Sequence, residues 1–145
     1  MRSLATDLLA TRTATTPSGD RLTLRVATTA RARTVGLLGQ RSSPDSGLGL
    51  LIERCDSVHM FGMRWPIDVV FVRWPPPDRR VEVLAARPEL RPWRLARVRR
   101  RTLGLRRREV AALELAAGSA RRMGLHAGAA LELDDAAWTD RPFVR

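Results

Sequence analysis

Ile67-Asp68-Val69-Val70-Phe71-Val72 combines β-branched and aromatic side chains with one charge near its start. No other segment of the chain reads as strongly as a strand. Just upstream, Pro66 cannot donate to a ladder and pushes Trp65 towards extended backbone. Before it, Ser57 to Met63 alternates: His59, Phe61 and Met63 share one face, and Val58, Met60 and Gly62 the other. Downstream, Pro75-Pro76-Pro77-Asp78 makes a stiff turn, and Val81 to Leu84 is short enough to be the returning strand. Residues 57–84 are therefore expected to form a meander of extended segments joined by brief turns.

The flanks extend the pattern. Thr13 to Asp20 is turn material around Pro17 and Ser18-Gly19-Asp20. Arg21 to Ala27 alternates, with Leu22, Leu24 and Val26 on one side, as in a half-buried strand. Thr28 or Thr29 can cap a short helix over 30–38 that Gly39 ends. After a loop over 42–47, Leu48 to Ile52 is an apolar run of strand length. Val110 to Leu115 and Ala129 to Leu133 read as two more strands. Between them Gly118-Ser119 opens a helical turn through Arg122, with Ser119 as its cap and Gly124 as its end. The expected fold is mainly β: a compact β-sandwich or open barrel of about six short strands with one or two short helices. The domain layout is a flexible N-terminal segment (1–20), one β-rich domain (21–134) and a C-terminal tail (135–145), which Trp138 and Phe143 can pin to the body.

The chain has 145 residues, enough for one domain with a real core. Its 44% apolar fraction argues against wholesale disorder. No apolar run approaches the roughly 20 residues of a membrane span, and Met1 to Arg12 makes no convincing secretory signal, so a cytoplasmic protein is expected. The single cysteine, Cys55, excludes an intrachain disulfide and a Cys-rich metal site. All 26 basic residues are arginine, and Lys, Asn and Tyr are absent. A GC-rich genome accounts for that absence, but not for a net charge of +11. The excess is local. Residues 87–108 hold ten arginines against Glu89 alone, while residues 109–145 hold four against six acids. This belt lacks both helical period and strict alternation, and Gly104 breaks any helix, so an irregular, exposed loop is expected.

Several blocks together resemble a known family. Arg33-x-x-Gly36-Leu37-Leu38-Gly39 looks like its first block, and Cys55-x-Ser57-Val58-His59-x-Phe61-Gly62-Met63-Arg64-x-Pro66-Ile67-Asp68-Val69-Val70-Phe71 like its central one. Pro92-Trp93-Arg94, Leu113-Glu114-Leu115-x-Ala117-Gly118 and Gly124-Leu125-x-x-Gly128 look like the later blocks. The family is domain of unknown function 192, a single-domain group widespread in bacteria and archaea. The resemblance covers about residues 21–134. It implies a compact, mainly β domain, and it supplies no established activity or cofactor. The chain departs from the family's usual pattern at Ala129, where Asp is common, at Met60, where Thr is common, and in its longer, more basic belt.

His59 and Asp68 are the best polar pair for chemistry. In a hairpin about Arg64-Trp65, Phe61 lies opposite Asp68 and His59 opposite Val70. The pair then become diagonal neighbours, about 7–8 Å apart at the backbone. A carboxylate there would hold the histidine tautomer, as a general base needs. In the plainer alternative, Asp68 caps a turn and His59 is a structural hydrogen-bonder. A three-residue loop at Arg64–Pro66 would put the two on opposite faces. Cys55 precedes His59 by four residues, and a thiolate there would be a nucleophile. An extended chain separates the two by about 13 Å, however, and a small buried residue is the simpler reading. His59, Asp68, His126 and Glu114 make no recognised metal-ligand spacing. Mid-strand Glu114 is expected on a solvated face, or paired with an arginine such as Arg33.

Three functions follow as expectations. The first is a small-ligand or partner-binding accessory module, with a shallow pocket at His59, Phe61, Met63, Arg64, Trp65 and Asp68. Trp93 adds an aromatic face among guanidinium groups that can grip a planar or anionic ligand. The second is a hydrolase-like acid–base enzyme using His59 with Asp68. The third is binding of a polyanion or an assembly partner through Arg99, Arg100, Arg101, Arg106, Arg107 and Arg108. Any nucleic-acid binding by that belt is expected to be non-specific.

Overall fold

Ile67 to Val72 is buried along its whole length and on both faces, because two separate cores lie on either side of it. The computed structural model describes residues 10–27 and 47–134. The described strands are β1 (Ala10–Thr15), β2 (Arg21–Ala27), β3 (Leu48–Glu53), β4 (Ser57–His59), β5 (Ile67–Arg73), β6 (Arg80–Leu90), β7 (Leu95–Arg97), β8 (Val110–Ala116) and β9 (Ala130–Leu133). A short helix, α1 (Ser119–Met123), precedes β9. The helix expected over 30–38, Arg33 and the tail with Trp138 and Phe143 lie outside the described residues. No helix among the described residues is long and apolar enough to cross a membrane.

Seven strands close a barrel in the order β1-β2-β3-β8-β5-β6-β9, with β9 pairing back onto β1. The mainly β expectation is met, and the barrel is closed rather than open. Closure depends on β1, which the sequence pattern places partly in turn material and wholly in a flexible N-terminal segment. Ala10 to Thr15 alternates only small and polar side chains, so its pattern carries no apolar signal. It becomes a strand by pairing with β2 (Ala14 opposite Leu22) and with β9 (Ala14 opposite Leu133). The turn itself begins at Thr16, whose N–H donates to the Asp20 carbonyl at 2.9 Å.

Alternation along the strands sorts side chains between the two cores. Leu22, Leu24, Leu51, Val70, Val72, Leu113, Leu115, Leu131 and Leu133 fill the interior, joined by Ala120 and Met123 of α1. Gly49 in β3 keeps this packing close: a Cβ there would sit 2.8 Å from Leu113 Cδ1 and 2.9 Å from Leu115 Cδ2. The opposite faces of β3, β8 and β5 present Leu50, Ile52, Ala112, Ile67, Val69 and Phe71 to the second core. That core is closed by Val58, Met60, Met63, Ala96 and Val98, which come from an antiparallel ribbon of β4 and β7 and its flanks.

The ribbon overturns the expected meander. β4 pairs with β7 (Val58 opposite Ala96, His59 opposite Leu95), while β5 pairs with β6 and β8. The reason lies in the turn after His59. Met63 N–H donates to the Met60 carbonyl at 3.3 Å, and Gly62 takes φ 78°, so the chain doubles back before Pro66 instead of forming a hairpin onto β5. Met63 therefore points inwards, although Phe61 stays exposed. β6 is also longer than expected, reaching Leu90 through register shifts against β5. Pro88, which has no N–H to give a ladder, sits in the shift between Arg87 and Leu90. The basic belt thus begins inside a barrel strand and continues into the ribbon.

Candidate functional site

The ribbon's inward residues, Val58, Met60, Ala96 and Val98, are buried, so its outward positions face solvent. Those positions form successive rungs. Ser57 lies opposite Arg97, and His59 opposite Leu95. Beyond them Phe61 meets Trp93, with ring centroids 6.0 Å apart and tilted by 35°. His59 stacks on Phe61 at 5.0 Å and 28°. Phe61, Trp93 and Leu95 are 52%, 68% and 55% exposed, so three of the four exposed large apolar side chains among the described residues lie together here.

Trp93 is held there by its backbone. It sits at φ 67°, in the left-handed region that bulky residues avoid. Its N–H donates to the Met60 carbonyl at 2.8 Å, and Met60 N–H donates to the Arg94 carbonyl at 2.8 Å. Arg94 N–H closes the turn on the Arg91 carbonyl at 3.2 Å. The strand pairing is thus prolonged into a tight turn that lifts the indole out of the fold.

Asp68 stands elsewhere. It is fully buried and shares its strand face with Val70 and Val72 of the interior core, whereas the ribbon covers the opposite face of β5. Its Oδ1 accepts the Glu89 N–H and its Oδ2 the Ala120 N–H, both at 2.8 Å. The expected acid–base pair with His59 is therefore not formed. Asp68 is instead a cap, serving α1 from another strand. Gly118, at φ 90°, takes the N-cap position expected of Ser119. The expected pocket divides accordingly: His59, Phe61 and Arg64 are exposed, Trp65 is half-buried, and Met63 and Asp68 belong to the interior.

Cys55 is half-buried beside the second core, its N–H on the Val110 carbonyl and its Sγ donating to the Ser57 carbonyl at 3.0 Å. Burial is the main reason its pKa is raised, and the nearby Glu114 and Asp56 charges add to the effect. A thiol raised in this way ionises less readily than a free one, the opposite of what activates a nucleophile. Glu114 is buried in β8 between Leu50 and Val69, not on a solvated face. His126 is exposed, its Nδ1 3.1 Å from the Ala127 carbonyl. Among the described residues no three His, Cys, Asp or Glu side chains cluster as metal ligands.

The belt is not uniformly free. Arg100 Nε donates to Asp56 Oδ2 at 2.8 Å and so ties the loop to the start of β4, while the exposed Arg107 lies 4.0 Å from Asp56 Oδ1. Arg99, Arg101, Arg106 and Arg108 are exposed. Sequence reasoning missed Leu95 as a rung and Arg97 as its neighbour. The signal was present but short: Leu95-Ala96-Arg97-Val98-Arg99 alternates, with Ala96 small enough to escape notice.

A family model, domain of unknown function 192, described as "Uncharacterized ACR", matches residues 12–133. No curated protein matches the chain. A crystal structure of a protein of unknown function from Novosphingobium aromaticivorans DSM 12444 is similar at 23% identity and TM-score 0.63, over 86% of this chain and 84% of that one. A protein from Sinorhizobium meliloti 1021, described as a "putative transcription regulator", is similar at 22% identity and TM-score 0.65, over 86% of this chain and 95% of that one. At such identities the likeness is one of fold. The family match is of another kind, since it runs from β1 to β9 and takes in the barrel, the ribbon and the belt: the chain belongs to the domain of unknown function 192 family.

Proposed function

We propose that this chain is a binding module whose contact face is the outward side of the ribbon, and that it takes planar, anionic groups. Trp93 carries the reading. Holding a bulky residue at φ 67° costs about 1–3 kcal/mol, yet the indole is 68% exposed and so recovers little of that by burial. Strain of this kind persists only where neighbouring bonds hold it, as the Met60 bonds to Trp93 and Arg94 do here, and it clusters at binding sites. Phe61 and His59 continue the aromatic surface, and Arg91 and Arg94 are exposed in the same turn as Trp93, where guanidinium groups can complement an anion.

Titration with 1-pyrenesulfonate, a planar anion, tests this. The wild-type chain should bind it, and Trp93→Ala should weaken binding by about tenfold, the worth of one aromatic stack. The melting midpoint should hold, because the side chain packs on little. Unchanged affinity in Trp93→Ala would reject the reading.

A further inference from the structure

Resting on that reading, we propose that the partner of the ribbon face is single-stranded nucleic acid, bound without regard to sequence. The rungs supply the first argument. Trp93 with Phe61, Leu95 with His59, and Arg97 with Ser57 follow one another along an antiparallel ribbon. Within β4 and β7 successive outward rungs are two residues apart, about 6.7 Å, and in the turn beyond them the His59 and Phe61 rings lie 5.0 Å apart. The first two rungs carry the exposed rings of Trp93, Phe61 and His59, and the third carries the exposed Arg97. Bases with free π-faces stack on such rings whatever their identity, whereas a duplex keeps its base faces covered.

Charge supplies the second argument. The segment that builds this face, 87–108, holds ten arginines against Glu89. Of these, Asp56 engages Arg100 and Arg107. Arg97 and Arg99 follow the rungs along the same outward side, and Arg101 and Arg106 lie in the loop beyond. A backbone leaving the aromatic rungs would run directly into this positive stretch. An acidic peptide would satisfy the arginines but leave the rings unused. Sequence-blind binding follows from the stacking itself, because every base has a π-face to lay on a ring.

Fluorescence anisotropy with labelled dT12, mixed-sequence 12-mers and a 12-base-pair duplex tests the proposal in the full chain. The single strands should bind alike and more tightly than the duplex. Trp93→Ala and Phe61→Ala should each lower dT12 affinity by about tenfold, and Trp93→Phe, which keeps a ring, should retain most of it. Arg97→Ser with Arg99→Ser and Arg101→Ser should flatten the plot of log affinity against log salt by about two, at roughly 0.7 for each phosphate no longer neutralised. Equal binding of duplex and single strand would overturn the proposal. So would dT12 affinity indifferent to both aromatic variants, or preference for phosphatidylglycerol vesicles over dT12. The pyrenesulfonate titration separates the two levels. If dT12 fails while pyrenesulfonate still depends on Trp93, the partner class is wrong and the binding module stands. If pyrenesulfonate is also indifferent to Trp93, both fall.

Discussion

Asp68 joins three elements with one side chain. From β5 it holds the N–H of Glu89, in the irregular end of β6, and the N–H of Ala120, in the first turn of α1. Neither donor has a place in a regular ladder. Glu89 follows Pro88 in a register shift and sits at φ 51°, and Ala120 is among the first residues of a helix, whose N–H groups have no intrahelical acceptor. A buried carboxylate answers both with charge-assisted bonds. Asp68→Ala should therefore cost about 1–3 kcal/mol in urea unfolding, because it leaves the buried Ala120 N–H and the part-buried Glu89 N–H without their acceptor. Asp68→Asn should fall between, since an amide oxygen can accept only one of the two. His59→Ala should change stability by no more than about 0.5 kcal/mol, because the ring is exposed. The opposite ranking would mean that His59, not Asp68, is the structural member of the pair. Both residues are conspicuous in the sequence as a polar pair. Their separation is not, because it depends on which strand each one joins.

Strands divide into those that announce themselves and those that are recruited. β2, β3, β5 and β8 carry enough β-branched and aliphatic residues to be read directly. β1 and β7 do not, and both are completed by partners distant in sequence. At Ala14, β1 is paired on both sides, with Leu22 and Leu133. Ala14→Pro therefore removes a ladder donor whichever neighbour it serves, and places a ring where a methyl group is fully buried. The expected loss is at least about 2 kcal/mol, seen as a lower melting midpoint and faster amide exchange in β2 and β9. A flexible N-terminal segment would tolerate the change with no effect. The ribbon shows the same dependence. Its inward residues are Val58, Met60, Ala96 and Val98, and neither pair makes a convincing strand face until the other lies beside it.

The two cores share β3, β5 and β8, which present one face to each. Losing the ribbon would expose Ile67, Val69 and Phe71 on β5, whose other face helps hold the barrel together, so the cores are expected to unfold as one unit. Trp74 lies in the interior core and Trp65 packs against the outer one. Urea unfolding followed by tryptophan fluorescence and by far-ultraviolet circular dichroism should therefore give coincident transitions. A fluorescence change that precedes the dichroism change would show that the ribbon detaches first. Composition and local period were sufficient for the mainly β class, the positions of the clearest strands, the Pro75–Asp78 turn, the end of α1 at Gly124 and the local concentration of charge. Those properties are written in side-chain chemistry a few residues at a time. Barrel closure, the β4–β7 pairing, the burial of Glu114 and the lifting of Trp93 out of the fold were decided only in three dimensions. Pairing depends on how distant segments together fill a volume, and a shift of a single residue moves a side chain to the other face of its strand. His59 and Asp68 are nine residues apart in sequence, yet β4 joins β7 and β5 joins β6 and β8, which leaves one on the solvent side of a ribbon and the other inside the barrel.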